Sequence, residues 1–447
     1  MKVVNPATEA EQIIEETPVQ DIPGLVARAR ETQLTWSDRT VRQRADALAE
    51  LCERIKARTE EIASCITDDV GKPIKVSRME VVKTAEQLKT FCQEAPEWLA
   101  PEEVEGGFVQ YDPLGVVTII SPWNGPFIVP VLAIAPALLA GNAVVFKPSE
   151  YALRTGQLVG DLFGNLDDVP SGLVQTVVGG KDHGRELLKQ DIDMVAFTGS
   201  GNAGKEIMKQ CSNRLCRVLL ELGGLDAAIV LKDADVSSAA RVLVRNNCHW
   251  SGQVCCAVKR VYVEKDVHDD FVQAAVDESR KITYGDPAED VDMGPLVAEF
   301  QLDKVLSTVD DARKKGARFL TGGERAPLKG YFFPSTIVTN VNHEMKIMRE
   351  EPFGPLLPIF PVETWEEAVR LANDTRYGLT GSVWTQDEEL GRKILGKLEV
   401  GVAGLNVHGV GPMGTPFGGA KESGIGRIKT KEGMRAHTNV KMVRLRA

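Results

Sequence analysis

Two stretches of the chain hold residue types whose spacing could do chemistry: MVAFTGSGNAGKEIM at 194–208 and NNCHWSGQVCCAVKRVYV at 246–263. In the first, Gly199, Gly201 and Gly204 spell G-x-G-x-x-G, a dinucleotide fingerprint, while Gly199, Gly204 and Lys205 spell most of a P-loop. A P-loop places Ser or Thr after its lysine to hold the magnesium ion of a nucleoside triphosphate. Glu206 stands there instead, and its carboxylate would repel the phosphates. The dinucleotide pattern sits better, because a strand-like run precedes the glycines and a helical run follows. It would assign Glu221, in ELGG, to an adenosine ribose. Glycines that merely allow a tight strand-to-helix turn explain the same spacing, so other residues must decide. In the second stretch, Cys255 and Cys256 follow a glycine-containing turn and precede a strand. A thiolate is a strong nucleophile, but buried, inert cysteine is the usual state and suits Cys52, Cys65 and Cys92.

At Gly252-Gln253-Val254-Cys255 the chain resembles the aldehyde dehydrogenase superfamily, whose nucleophile lies in G-Q-x-C. SPWNGPF (121–127), FKPSE (146–150), FTGS (197–200), LELGG (220–224), GQVC (252–255), EEPFGP (350–355) and PFGGAKESGIGR (416–427) follow in the family's order and approximate spacing. The resemblance implies NAD(P)-dependent oxidation of an aldehyde to the carboxylic acid. Cys255 would attack the aldehyde carbon, and the Asn124 side-chain amide with the Cys255 N–H would hold the oxyanion. Hydride loss then leaves a thioester. Glu221 would serve as general base for the water that cleaves it, so its assignment to a ribose fails. On the cofactor side the resemblance points to Lys147 and Glu150 at the adenosine ribose, Gly199 and Ser200 at the pyrophosphate, Glu351 at the nicotinamide ribose and Phe353 under the ring. Trp123 joins the cofactor group, and with Phe127 and Trp250 it flanks the chemistry as an apolar wall. A carboxylate at Glu150 accepts from a free 2′-hydroxyl and repels a 2′-phosphate, so NAD is expected, with NADP as the alternative.

The chain departs from the family pattern in carrying Leu225 where lysine commonly follows ELGG, a position read as structural. Cys256 is expected in the substrate wall, with a redox partnership to Cys255 as the alternative. His249 and His408 are read as non-catalytic, and Lys421 and Arg427 as holding the C-terminal loop. A coenzyme A-acylating relative would suppress water attack, which Glu221 argues against. A catalytically idle scaffold of the same fold is disfavoured by the joint presence of Cys255, Asn124, Glu221, Glu351 and Phe353. The expected substrate is a short aldehyde or semialdehyde, succinate semialdehyde first.

These residues need elements to position them. Residues 23–98 show apolar side chains at helical spacing among charges. Beyond GGFVQYDPLGVVTIISPWN, strand-like and helical runs alternate, the pattern of parallel sheets with crossover helices. A second alternating set begins near residue 226. The fold class is therefore α/β. By resemblance it has a Rossmann-type cofactor lobe (1–94 and 114–223), an α/β catalytic lobe (224–427) and a β oligomerisation arm (95–113 and 437–447). The terminal strand in TNVKMVRLRA is expected to pair with the hairpin near 100–113 of another subunit, giving a homodimer or homotetramer.

Composition narrows the function classes. A net charge of −10 gives no general attraction to nucleic acid or anionic membrane. Eight cysteines without a C-x-x-C pair indicate neither a disulfide framework nor a thiolate metal site, and point to a reducing, cytoplasmic setting. The start, MKVVNPATEAEQ, has no apolar segment of an export peptide. FIVPVLAIAPALLA at 127–140 is too short to span a bilayer and reads as a buried helix ended by Gly141-Asn142.

Overall fold

The structure, a computed structural model, describes residues 1–412 and 414–446. The helical periodicity of the N-terminal region becomes four helices, Ile22–Ser37, Val41–Ala57, Thr59–Val70 and Ile74–Trp98. Thr40 opens the second with a capping box: its hydroxyl accepts from the Gln43 N–H at 3.2 Å, and the Gln43 side chain accepts from the Thr40 N–H at 2.8 Å.

The first alternating set builds a six-stranded sheet. Its parallel strands step outward from Val116–Ile120 in both directions. Ala143–Lys147 and Val174–Thr176 lie to one side, Met194–Thr198 and Arg217–Glu221 to the other. Reversal of strand order between Val116–Ile120 and Met194–Thr198 opens a crevice at their carboxyl ends, where ligands bind in doubly wound sheets. The apolar run read as a buried helix is Ile128–Leu139, whose chain turns at Gly141 with φ 94°.

The second set builds a seven-stranded sheet in the order Arg318–Phe319, Thr336–Thr339, Leu356–Val362, Val258–Glu264, Asp226–Val230, Thr380–Trp384 and Val402–Leu405. All its pairings are parallel except that of the edge strand Arg318–Phe319. Its central strands are buried along their length, which explains their continuous apolar runs. The short crossing Leu222–Leu225 links the carboxyl end of Arg217–Glu221 to the amino end of Asp226–Val230. The carboxyl edge of the first sheet therefore meets the amino edge of the second. Late in the chain, Gly424–Ile425 returns to the first sheet and pairs antiparallel with Leu220 and Glu221.

One expectation is corrected. The terminal strand Thr438–Arg444 does not need another subunit, because it pairs antiparallel with Gly107–Pro113 of the same chain, and Glu102–Val104 completes a three-stranded sheet. The chain is steered there by contacts that sequence does not announce. The Asn142 amide donates to the His437 carbonyl at 2.9 Å, and Arg435 Nε donates to the Trp98 carbonyl at 2.7 Å. Among the described residues, no helix is long and apolar enough to cross a membrane.

Candidate active site

Cys255 emerges from a strained turn. Trp250 and Ser251 hold left-handed backbone conformations, φ 44° and 55°, and Gly252 follows at φ 72°. Non-glycine residues occupy that region only where their surroundings over-determine it. Here the Ser251 hydroxyl donates to the Gly294 carbonyl at 2.7 Å, and the Gln253 side chain accepts from the Val297 N–H at 2.9 Å. At Gly252 a Cβ would lie 2.3 Å from the Gly354 carbonyl carbon, so only glycine fits. On the far side of the nucleophile, the Lys259 ammonium donates to the carbonyls of Val254, Cys255 and Ala257 at 3.2, 2.6 and 3.1 Å. The turn is thus fixed on both flanks. The hydrogen bond to Cys256 and then burial push the Cys255 thiol well above its ordinary pKa, against the pull of Lys259.

Asn124 follows the first strand of the doubly wound sheet, at the strand-order reversal. Its side-chain amide donates to the Gln253 carbonyl at 3.2 Å, within the turn that carries Cys255. Its backbone is tethered as well, because Lys72 donates to the Asn124 carbonyl at 2.9 Å, pairs with buried Glu80 and lies 4.3 Å over the Trp250 ring. Glu80 in turn accepts from the N–H groups of Phe127 and Ile128, each at 3.0 Å, in the opening turn of Ile128–Leu139. The N-terminal end of a helix favours a carboxylate.

Glu221 ends its strand at the same edge. Its carbonyl accepts from the Gly199 N–H at 3.0 Å, which ties it to the glycine-rich loop. Both carboxyl oxygens are buried without a hydrogen-bond partner among the described residues. Burial therefore pushes its pKa from 4.5 up to about 8, opposed by Arg427 and Lys429. Glu221, Asn124, Cys255, Cys256 and Trp250 line one cavity of about 280 Å³. An unpaired, proton-holding carboxyl that shares a cavity with a thiol and an amide can exchange protons with the thiol or with a water there.

The residues expected at the cofactor are not among those lining that cavity. Lys147 ends Ala143–Lys147, is 4% exposed and donates to the Pro148 carbonyl at 2.9 Å. Burial lowers its pKa, while half-buried Glu150 raises it. Ser200 caps the helix Gly201–Ser212 by accepting from the Ala203 N–H at 3.3 Å. Glu351 accepts from the Gly224 N–H at 3.1 Å and lies 3.6 Å from Lys259. Phe353 adopts φ 53°, held by the Gln301 amide, which donates to the Pro352 and Phe353 carbonyls at 2.9 Å each. Trp123 stands edge-on to both Phe353 and Trp250, with ring centroids 5.4 Å apart in each pair. A helix N-terminus beside glycines, the Glu150 and Glu351 carboxylates and the Phe353 and Trp123 rings are chemical groups of the kind that suit a dinucleotide.

His408 is buried against the Ser382 hydroxyl at 2.8 Å, and Arg427 donates to the Gly419 and Gly426 carbonyls. Lys421 donates to the Asn373 carbonyl at 2.7 Å. Sequence reasoning missed Lys72, Glu80, Lys259 and Lys429. Lys259 lay in plain view in AVKR, beside the nucleophile. Lys72 and Glu80 act on a loop far along the chain and carry no local pattern.

A family model described as the aldehyde dehydrogenase family matches residues 1–443. The chain is 35% identical to a lactaldehyde dehydrogenase of Escherichia coli (strain K12), covering 100% of this chain and 95% of that protein. A solved lactaldehyde dehydrogenase structure superposes with a TM-score of 0.95 at 34% identity, covering 100% of this chain and 96% of the other. A betaine aldehyde dehydrogenase from Staphylococcus aureus, solved in complex with NAD+, superposes with a TM-score of 0.96 at 31% identity, covering 99% of this chain and 90% of that one. With fold, motif order and whole-chain similarity in agreement, this chain belongs to the aldehyde dehydrogenase family, oxidoreductases acting on aldehydes.

Proposed function

We propose that the protein oxidises a short aldehyde or semialdehyde to the carboxylic acid with NAD, through covalent intermediates on Cys255. The carrying observation is that Cys255, Asn124 and Glu221, drawn from both sheets, line one cavity. In its ionised form Glu221 takes the thiol proton, and Cys255 Sγ attacks the aldehyde carbon to form a thiohemiacetal. The Asn124 amide turns from the Gln253 carbonyl to the new oxyanion, joined by the Cys255 N–H. Bound NAD supplies the acceptor for the hydride that leaves this carbon. Glu221, after passing the thiol proton to solvent, takes a proton from water as the water attacks the thioester carbon. The C–S bond breaks, and acid and thiolate separate.

Lys147 and Glu150 would hold the adenosine ribose, Gly199 and Ser200 the pyrophosphate, Glu351 the other ribose, and Phe353 with Trp123 the nicotinamide. Support for NAD over NADP comes from Glu150, since its carboxylate repels a 2′-phosphate. We assign 1–94 and 114–223 to cofactor binding, 224–427 to catalysis, and 95–113 with 437–447 to a homo-oligomerising arm. Sparse cysteines and an acidic net charge favour the cytoplasm.

The test follows reduced-nicotinamide absorbance over short, hydroxylated, acidic and aromatic aldehydes, for wild type and Cys255→Ala. Turnover by wild type and none by the variant is expected. Wild-type turnover that survives the substitution would refute the covalent mechanism.

A further inference from the structure

The cavity that holds Cys255 also takes in Lys72, Lys83, His249 and Lys429, and their charges do not cancel. Lys72 is already answered by Glu80 and by the Asn124 carbonyl. His249 is exposed, and desolvation, then Lys72 and Lys83, lower its pKa, so it adds no fixed charge. Glu221 keeps its proton there, since burial raises its pKa to about 8. Two ammonium groups remain. Lys83 projects from the helix Ile74–Trp98 and is exposed, while Lys429 is half-buried in the C-terminal loop.

Lys429 is held with some force. Its backbone is left-handed at φ 73°, directly after Ile428, whose N–H and carbonyl both pair with Phe417. Its ammonium lies 5.0 Å over the Phe417 ring. A lysine strained in this way persists where its surroundings fix it, and such positions concentrate at ligand sites. Burial lowers its pKa, Cys256, Cys255 and Glu221 pull it back up, and Lys83 opposes them. Two like charges on one cavity, neither in a salt bridge among the described residues, suit an anion that arrives with the ligand.

We propose that Lys83 and Lys429 form an anion-recognition subsite on the wall of the cavity, and that the preferred substrate is a short aldehyde carrying a carboxylate at the end remote from its carbonyl. The rest of the wall, with Val129, Leu132, Val254 and Phe417, is apolar and suits a methylene spacer, and a volume of about 280 Å³ admits only a short one. This inference rests on the aldehyde oxidation argued above.

The experiment compares kcat/KM for succinate semialdehyde and butanal, which have the same number of carbons, in wild type, Lys83→Gln, Lys429→Gln and Lys429→Arg. Wild type is expected to favour succinate semialdehyde by tenfold or more. Each glutamine variant lowers that ratio by roughly tenfold, the effect of about 1.4 kcal/mol, and Lys429→Arg restores much of it. Lys83→Gln, at an exposed helix position, keeps the test open if Lys429→Gln does not fold. Equal loss on both aldehydes would mean that Lys429 serves Glu221 and not the substrate, and would overturn the proposal. So would butanal turnover without preference for the acid, or a stronger preference for glyceraldehyde 3-phosphate, which would assign the subsite to phosphate. Oxidation of no aldehyde would overturn the oxidation reading, and this subsite with it.

Discussion

Glu221 concentrates the physical tension of the site, because its carboxyl is buried without a partner next to the nucleophile. In the unfolded chain a glutamate ionises near 4.5, whereas in the fold Glu221 keeps its proton up to about 8. Between those values the folded chain binds the proton that the unfolded chain has lost. Its contribution to stability is therefore fully present below 4.5, falls as pH rises through that window, and levels off above 8. Glu221→Gln removes the ionisation, so the variant should gain melting temperature over wild type, and by more at pH 8.5 than at pH 5. Catalysis runs the other way. A base that deprotonates through about 8 makes turnover rise from pH 6 to pH 9, and Glu221→Gln should abolish that rise along with most activity. For Asn124→Ala the expected loss in kcat is about 100- to 1000-fold, the usual effect of deleting one oxyanion donor, with little change in melting temperature. At the cofactor, Glu150→Gln should raise kcat/KM for NADP relative to NAD.

The elements around these residues act as clamps. The turn Trp250–Gly252 sets the direction of Cys255, and Gly252→Ala would press a Cβ into the Gly354 backbone at a φ of 72°. Strain of about 1–3 kcal/mol and a large fall in kcat are expected, read by urea denaturation and steady-state rates. Glu80→Gln should cost more, about 3–5 kcal/mol, because the amide oxygen can keep the helix N–H groups of Phe127 and Ile128 while its NH2 leaves the buried Lys72 ammonium unpaired. Much of this scale was legible in the sequence. The strand and helix runs, the buried helix after Phe127 and the Ser200 turn all follow from periodicity and local turn chemistry. The clamps were not. Lys72, Glu80 and Asn124 meet only because a helix from the N-terminal region packs across the strand-order reversal, and no spacing rule encodes that meeting. Lys429 lay just beyond the last motif, and its place in the cavity depends on the Phe417–Ile428 pairing.

At the scale of the molecule, the terminal strand shows the same limit. Its strand character was readable, but its partner was decided by the path of the chain through His437 and Asn142. Val440 is 67% exposed and Met442 45% exposed on that strand, so a single chain buries little of it. Light scattering on the intact protein should return a dimer or tetramer, and Val440→Glu with Met442→Glu should shift it toward monomer. The crossing Leu222–Leu225 has a different consequence. It carries the base on one sheet into the sheet that bears the nucleophile, and it is crowded: a Cβ at Gly224 would lie 2.8 Å from the Cys255 carbonyl oxygen, and one at Gly223 would displace Glu351, 2.3 Å away at Oε2. So short and crowded a tether sets a high effective concentration of Glu221 at Cys255. Inserting two or three glycines there would leave both lobes folded and every reacting group present, yet dilute the base with respect to its thiol.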